Sequence, residues 1–314
     1  MYINSIGCYI PQERVHNNYF KDVNGLTNEW ILQRTGIQTR SKAGVGENAH
    51  TMGLEAVENA LKTLPYDIKE VDLVIYSGYT PLDTVGTLAH VVQKKYSIDD
   101  AVALYVSSAC SSFVNALEIV QCYMAAGKSR KALVVCSEHN TMYSNESDPV
   151  SGHLWGDAAV AIFVSKERVA TNEAKITDVY TKGLGHIGKG PDGVYLKPKS
   201  EGIVMPDGRD VFMNACKYMV QSINVLCERN SVSLDDVSKI ICHQANIRIV
   251  DNVRSQLGFD SDKFLNNISE LGNTGSVSSA LVLAQNFTSF VAGDKIILTV
   301  FGGGYSCGAS LITF

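Results

Sequence analysis

Cys110 is the residue of this sequence best placed to act as a nucleophile. It follows the apolar stretch Leu104–Ala109 and precedes a segment of helical periodicity, so we expect it at the amino end of a helix. Unpaired N–H groups and the helix dipole stabilise negative charge there, which predicts a lowered thiol pKa and a reactive thiolate. Nearly all the other cysteines are predicted to be inert, reduced core thiols. They are Cys8, Cys122, Cys136, Cys216, Cys227, Cys242 and Cys307.

His243 and Asn273 are candidate partners of this thiol. His243 ends the predicted strand Lys239–Cys242, and Asn273 lies in the turn-rich loop Glu270–Ser276, ahead of a second helix of small residues. Considered alone, His243 would be explained as a hydrogen-bonded core histidine and Asn273 as a residue of a turn. The internal repeat described below places both residues at the same crevice as Cys110, which favours a shared site.

The glycine-rich stretch Phe301–Gly308 follows a predicted strand and could offer backbone N–H groups to an oxyanion. It lacks the spacing and the following Lys-Ser or Lys-Thr of a phosphate-binding loop. The seven histidines are scattered without metal-ligand spacing, so no metal is expected.

Short runs rich in Val and Ile alternate with segments of helical period, which predicts an α/β fold. The predicted strands are Leu73–Tyr76, Ala101–Val106, Ala132–Cys136, Ala159–Val164, Ile240–Cys242, Lys295–Val300 and Ser310–Phe314. The predicted helices are Met52–Lys62, Cys110–Ala126, Asp210–Asn230, Ile247–Leu257 and Val277–Phe290.

The second half of the chain repeats the first at a nearly constant offset. The matching pairs are Glu70–Gly78 with Asp236–Gln244, 166 residues apart, Ala109–Leu117 with Gly275–Leu281, again 166, and Lys131–Glu138 with Lys295–Gly302, 164 apart. We therefore expect two similar halves, residues 1–170 carrying the cysteine and 171–314 carrying the histidine and asparagine. Each half contributes a buried helix, which predicts a five-layered α-β-α-β-α sandwich with ligands bound where the halves meet.

Composition excludes several classes of protein. The 314 residues are 45% apolar and 19% charged, which rules out a disordered or fibrous chain. A net charge of −5 disfavours nucleic-acid binding. Residues Met1–Cys8 lack the pattern of a secretory signal, and apolar runs such as Ala158–Val164 are too short to span a membrane. We expect a cytoplasmic protein that does not bind membranes.

Six motifs in order along nearly the whole chain resemble β-ketoacyl-acyl carrier protein synthase III, a condensing enzyme of the thiolase fold. They are Glu29–Arg40, Ser108–Phe113, Trp155–Ala159, His243–Arg248, Gly272–Ser276 and Phe301–Gly304. The resemblance implies an acyltransferase of fatty acid biosynthesis with no cofactor beyond its coenzyme A thioester substrate. It also implies a homodimer.

The resemblance implies that Cys110 takes an acyl group from an acyl-coenzyme A, and that the acyl-enzyme condenses with malonyl-acyl carrier protein after decarboxylation. His243 and Asn273 would supply neutral hydrogen bonds to the enolate oxygen. The backbone N–H groups of Cys110 and Gly303 would hold the second oxyanion.

The same resemblance implies five substrate contacts. Trp30 and Arg34 would hold the adenine end of coenzyme A, and Asn246 would contact the pantetheine or the oxyanion network. Arg248 would face the phosphate of the carrier protein, and Phe301 would line the substrate site.

Departures from the family pattern leave the substrate open. Pro149 replaces an arginine that flanks the adenine, and Val85-Gly86 replaces a Phe-Pro at the acyl pocket. Lysines expected to meet the carrier protein are replaced by Met213 and Ser255-Gln256. A specialised ketosynthase or acyltransferase of secondary metabolism, of resorcinol, polyene or quinolone type, is therefore an alternative to the fatty-acid enzyme.

Three other functions share part of this pattern of residues. Cys110, His243 and Asn273 follow the order of papain-like proteases, but the Cys-Gly-Ser-Cys-Trp motif of that class is absent. Within the thiolase superfamily, an HMG-CoA synthase-like or biosynthetic thiolase activity is an alternative. A degradative thiolase would use a second cysteine as base near the C-terminal glycine-rich loop, for which Cys307 is a candidate. A partner subunit with a degenerate site is disfavoured, because all three catalytic positions are occupied.

Overall fold

The computed structural model describes residues 1–171, 173–198 and 200–314. The strands are β1 Tyr2–Tyr9, β2 Glu13–His16, β3 Thr39–Lys42, β4 Leu73–Ser77, β5 Val102–Val106, β6 Lys131–Glu138, β7 Ala158–Ser165, β8 Lys175–Gly183, β9 Lys239–Cys242, β10 Lys295–Gly302 and β11 Ser306–Thr313. The helices are α1 Tyr19–Asn24, α2 Asn28–Thr35, α3 Ala49–Leu61, α4 Leu88–Tyr96, α5 Ser112–Ala125, α6 Asn140–Tyr143, α7 Gly208–Asn230, α8 Ile247–Leu257, α9 Ile268–Leu271 and α10 Ser278–Asn286.

The strand order is the same in the two parts of the chain. The first part runs β5-β4-β6-β7-β1 and the second runs β9-β10-β11-β8. In each part, parallel pairs (β4 with β5 and β6, β9 with β10) are followed by antiparallel pairs. Phe264 bridges Ile240 in parallel, at the place that β5 occupies in the first part. The two parts are joined at the residue pair Tyr2 and Lys175 of β1 and β8.

Helices α5 and α10 form the middle of the molecule. Each packs against strands of both parts, and their side chains belong to one apolar core with the inner faces of the strands. Helix α3 covers β1 and β7 on one outer face, and α7 covers β10 and β11 on the other. The five-layered sandwich expected from the sequence is confirmed, because helices built mostly of small and apolar residues can be buried between two sheets.

The predicted elements agree with the structure except at three kinds of place. Helix α5 begins at Ser112 with Ser111 as its N-cap, so Cys110 precedes the helix instead of opening it. Several elements were not predicted, because they are short or their mixed polar and apolar residues give no clear period. They are strands β1, β2, β3 and β8 and helices α1, α2, α4, α6 and α9. The final strand begins at Ser306, four residues before its predicted start. The division of the chain at residue 170 stays a prediction.

No helix among the described residues is long and apolar enough to cross a bilayer.

Candidate active site

A cavity of about 520 Å³ lies between the two parts of the chain and is lined by residues of both. Cys110 from the first part and His243 and Asn273 from the second all line it. The cavity thus brings together the three residues that the sequence singles out. Its opening is surrounded by Trp30, Arg34 and further residues of α2 and α8, and its wall includes α7.

Cys110 is held in a tight turn ahead of α5. Ala109 has φ of 48°, a left-handed conformation that costs energy in a residue with a side chain. The backbone N–H groups of Cys110 and Gly303 lie beside the thiol. Gly302 permits this approach, because a Cβ atom at that position would lie 2.7 Å from the backbone nitrogen of Cys110.

The environment of Cys110 favours the neutral thiol. The residue opens partly onto the cavity, yet its sulfur lies deep in the protein. Burial raises the pKa of Cys110 to about 12, and the nearby Glu138 charge acts in the same direction. The nearby Tyr79 hydroxyl and the two backbone N–H groups lower the pKa of Cys110, but by less. The lowered pKa expected from the helix start is therefore wrong, since desolvation outweighs the helix end.

His243 is a neutral imidazole with one nitrogen committed to a partner. Its backbone N–H donates to Thr299 O at 2.8 Å, which extends the pairing of β9 with β10. Nδ1 lies 2.6 Å from Ser278 Oγ, and the same oxygen accepts the N–H of Gln244 at 3.1 Å. Burial lowers the pKa of His243 to about 4. When the Ser278 hydroxyl donates to Nδ1, the ring proton is on Nε2, the tautomer that can donate to a ligand.

Asn273 presents its amide group as a donor. Its backbone N–H donates to Leu154 O at 2.8 Å and its carbonyl accepts from Gly156 N at 3.0 Å, which ties the loop to the first part of the chain. The side-chain Oδ1 accepts the N–H of Gly275 at 3.0 Å. The amide NH₂ is therefore the group left to meet a ligand.

The entrance of the cavity carries the residues that the resemblance assigns to coenzyme A. Thr27 caps α2 and accepts the Trp30 N–H at 3.2 Å. The Arg34 guanidinium lies 4.3 Å from the centre of the Trp30 ring, and the His153 ring meets the same indole edge-on at 5.5 Å. Arg34 is exposed to solvent, so its charge is available to an anion.

Helix α8 contributes the opposite side of the entrance. Asn246 is its N-cap, and its side-chain oxygen accepts the N–H of Arg248 at 2.8 Å, which leaves the amide NH₂ to face a ligand. Arg248 is exposed. Phe301 is buried, with its ring stacked on that of Tyr218 at 6.4 Å and tilted by 44° to that of Tyr305 at 4.9 Å.

Three residues of the site were not identified from the sequence. Tyr79 and Glu138 follow or end the parallel strands β4 and β6, and Ser278 begins α10. The signal that could have found the first two is their place at the carboxyl ends of parallel strands, the edge where ligands bind. Nothing in the local pattern around Ser278 distinguishes it from the neighbouring serines.

Glu138 is the buried carboxyl group nearest to this chemistry. It accepts hydrogen bonds from the backbone N–H groups of Tyr79 and Thr80 and from the hydroxyls of Thr80 and Ser276. Burial raises the pKa of Glu138 to about 7, against the effect of these donors. The Ser276 contact links the first part of the chain to the loop that carries Asn273.

The structure disfavours a thiolase-type second cysteine. Cys307 lies on β11, is buried, and lines a different hollow from the one that contains Cys110. Within residues 1–171, 173–198 and 200–314, no cluster of three or more His, Cys, Asp or Glu side chains could hold a metal ion.

Comparisons with known proteins agree with this geometry. Residues 105–183 match the family model of 3-oxoacyl-[acyl-carrier-protein] synthase III, and residues 227–314 match the model of its C-terminal part. The chain is 31% identical to the β-ketoacyl-[acyl-carrier-protein] synthase III of Clostridium perfringens, with 99% of this chain and 98% of that protein covered.

Solved structures show the same similarity. The crystal structure of 3-oxoacyl-[acyl-carrier-protein] synthase III from Aquifex aeolicus superposes with a TM-score of 0.92 at 28% identity, covering 100% of this chain and 99% of that one. The corresponding enzyme of Thermus thermophilus gives 0.92 at 26% identity, with 100% and 99% covered.

Proposed function

The chain belongs to the 3-oxoacyl-[acyl-carrier-protein] synthase III family, and we propose that it condenses an acyl starter from coenzyme A with malonyl-acyl carrier protein in fatty acid biosynthesis. The observation that carries the proposal is the convergence of Cys110, His243 and Asn273 on one cavity. The backbone N–H groups of Cys110 and Gly303 beside the thiol support it further.

In the first step, the sulfur of Cys110 attacks the carbonyl carbon of the acyl thioester. The new carbon–sulfur bond forms first and gives a tetrahedral intermediate, whose collapse breaks the bond to the coenzyme A sulfur; the thiol proton leaves with coenzyme A. The N–H groups of Cys110 and Gly303 stabilise the oxyanion of the tetrahedral intermediate. Because the resting group is a neutral thiol, deprotonation is part of the barrier of this step.

In the second step, malonyl-acyl carrier protein loses carbon dioxide. The electron pair of the breaking carbon–carbon bond moves into the thioester and gives an enolate. His243 Nε2–H and the Asn273 NH₂ group donate to the enolate oxygen. Neutral donors suit this role because they stabilise the charge without protonating the nucleophilic carbon, and the lowered pKa of His243 keeps its ring neutral.

In the third step, the enolate carbon attacks the carbonyl of the acyl-cysteine. The same two backbone N–H groups hold the oxyanion, and its collapse expels the Cys110 sulfur and releases a 3-oxoacyl carrier protein. The expelled Cys110 thiolate takes one proton from water, which restores the thiol. The steps change no oxidation state that would need an external oxidant or reductant, so no further cofactor is required.

Binding of the substrates is proposed for the entrance. Trp30 and Arg34 hold the adenine end of coenzyme A, while Asn246 and Phe301 contact the pantetheine chain. Arg248, exposed at the start of α8, meets the phosphate of the carrier protein.

We also propose a cytoplasmic homodimer. The eight cysteines are free thiols, which suits a reducing compartment. Strand β5 lies at the edge of its sheet, and its residue Val102 is 41% exposed. Val85, in the segment between β4 and α4, is 84% exposed. Edge pairing with a second copy would cover these groups. Sedimentation near twice the 34.1 kDa chain mass supports the dimer, and a monomer contradicts it.

Acyl loading tests the function directly. The protein is incubated with acetyl, branched, medium-chain and aryl coenzyme A thioesters, and adducts on Cys110 are measured by intact mass, with Cys110→Ala as control. Rapid acetyl or short branched loading is expected. Absence of any adduct, or adducts that persist in the control, would contradict the proposal.

The division of labour among the three residues needs a second measurement. Cys110→Ala is expected to abolish acyl transfer, whereas His243→Ala loads acetyl groups but no longer decarboxylates malonyl-acyl carrier protein. Condensation retained in His243→Ala would contradict the role given to this histidine.

A further inference from the structure

Tyr79 lines the cavity, and its hydroxyl group is buried beside the loop that carries Asn273. It follows β4 in the first part of the chain, and its backbone N–H donates to both carboxyl oxygens of Glu138 at 3.1 and 3.2 Å. The side chain lines the cavity together with Cys110 and Asn273. The backbone of Tyr79 is therefore anchored, and its ring reaches between the nucleophile and the loop of Asn273.

The Tyr79 hydroxyl is buried and makes no hydrogen bond among the described residues, not even to the neutral thiol of Cys110. It is pressed against Gly275, where a Cβ atom would lie 2.5 Å from Oη. Cys110 lines the same cavity, and the nearness of this hydroxyl lowers the pKa of the Cys110 thiol. A buried O–H group usually finds an acceptor, and sulfur is a weak acceptor as a thiol but a strong one as a thiolate.

We propose that Tyr79 is a catalytic residue of the acyl-loading step, donating its hydroxyl hydrogen to the sulfur of Cys110 as the thiolate forms. This inference rests on the proposed function of Cys110 as nucleophile. It adds a side-chain donor to the two backbone N–H groups of the site.

The charges around the thiol explain why such a donor matters. Glu138 and burial both oppose the thiolate, and no cationic side chain is among the main influences on Cys110. Cys136, His243 and His153 also face this region. All three are neutral at pH 7, because burial raises the pKa of Cys136 to about 12 and lowers those of His243 and His153 to about 4. Arg34 and Arg248 also line the cavity but are not among the main influences on Cys110. Neutral hydrogen-bond donors are thus the main stabilising influence on negative sulfur.

The proposed role predicts a kinetic separation. Once the sulfur is acylated it is a poor acceptor, so the Tyr79 hydroxyl no longer acts on it. Loss of the hydroxyl should therefore slow the reactions of free Cys110 and leave decarboxylation of malonyl-acyl carrier protein unchanged. The pKa of Tyr79 lies well above its usual value, so the hydroxyl keeps its hydrogen throughout the accessible pH range.

The test is Tyr79→Phe, which removes one oxygen atom and keeps the ring. Alkylation of Cys110 by iodoacetamide is followed by intact mass between pH 6 and 10. One lost donor is expected to leave about tenfold less thiolate, equivalent to about one unit of pKa. The greater nucleophilicity of the more basic thiolate offsets part of this, so the rate should fall about three- to fourfold.

Tyr105→Phe is the matched control. Tyr105 is a neighbouring tyrosine whose hydroxyl donates to Gly78 O at 3.1 Å and which does not line the cavity. Its variant should alkylate as the unmodified protein does. An unshifted pH profile in Tyr79→Phe, or an equal shift in Tyr105→Phe, would overturn the inference.

The alkylation assay needs no acyl substrate, so its outcome is separate from that of the proposed function. Failure of the unmodified protein to load any acyl group would contradict the function, whatever Tyr79 does. Normal loading and alkylation in a folded Tyr79→Phe protein would overturn only the role of Tyr79. Acetyl loading slowed by the same factor as alkylation, with decarboxylation unchanged, is the expected result.

Discussion

The loops that precede α5 and α10 occupy equivalent places in the two parts of the chain but contribute to the site in opposite ways. In the first loop, the backbone N–H of Cys110 faces the reacting sulfur, and the side chain is the nucleophile. In the second, the backbone N–H of Gly275 is consumed by Asn273 Oδ1, and the side-chain NH₂ becomes the donor. The repeated arrangement of strands and helices places both loops at the cavity. The chemical role of each loop then depends on one residue, Cys110 in the first and Asn273 in the second.

The loops also reach their shapes differently. The first holds a non-glycine residue, Ala109, at φ of 48°, whereas the second uses Gly272 and Gly275 at φ of 68° and 62°. Neither glycine has room for a Cβ atom. The comparison shows that the second loop is shaped by close packing against the first part of the chain, so substitutions in the two loops should affect different steps.

The largest contrast is expected for Asn273→Ala. Losing one donor to a developing oxyanion costs about 10²- to 10³-fold, and here the loss should appear in decarboxylation. Acetyl loading on Cys110 should change little. Carbon dioxide release and intact mass measure the two steps, with Asn267→Ala as control, because Asn267 bonds to Gln285 outside the cavity. Equal losses in both steps would contradict the assignment of the two loops to different steps.

Substitutions of two glycines test whether the shapes of the two loops also affect different steps of the reaction. Gly302→Ala places a Cβ atom 2.7 Å from Cys110 N and should reduce acyl loading, whereas Gly272→Ala places one 2.8 Å from Leu154 O and should displace Asn273. Misplacement of a reacting group by ~1 Å costs up to about 10²-fold in rate. In the Gly302 variant the rate of acyl loading should fall more than the rate of decarboxylation, and in the Gly272 variant the rate of decarboxylation should fall more. The reverse order would contradict the assignment of the loops.

Ser278→Ala tests the orientation of His243. Without the hydroxyl, Nδ1 loses its partner and the imidazole is free to adopt the other tautomer. Decarboxylation should fall about tenfold, less than the 10²- to 10³-fold cost of removing an oxyanion donor outright. The adjacent Ser279→Ala is the control, because Ser279 is equally buried and its hydroxyl has no partner among the described residues. Similar activities in the two variants would remove Ser278 from the site.

The smallest effect is expected for Glu138→Gln, and it has the opposite sign. Glu138 has a pKa of about 7, so above that pH its charge opposes the thiolate of Cys110. The glutamine should lower the thiol pKa and speed alkylation at pH 8 about threefold, corresponding to about one pKa unit offset by lower nucleophilicity. The advantage should shrink below pH 7. Glu118→Gln, whose partner is Thr181, should show no such change.

The two halves, the layers of the fold and three residues of the site can be predicted from the amino-acid sequence alone. The repeat at offsets of 164 and 166 residues predicts two equivalent halves, and the alternation of apolar runs with helical segments predicts the layers. Cys110, His243 and Asn273 could be selected because each follows or precedes a recognisable element. Hydrophobic patterns of this kind survive in the sequence because each element must bury one face or all of itself.

The tertiary structure decided the electrostatics. The position of Cys110 before a helix predicts an acidic thiol, but burial under both parts of the chain raises its pKa instead. Tyr79, Glu138 and Ser278 acquire their roles through contacts with residues distant in sequence, as in the hydrogen bond from Ser276 to Glu138. A local pattern records whether a segment is buried, whereas desolvation and through-space hydrogen bonding depend on which segments meet, and only the folded chain determines that.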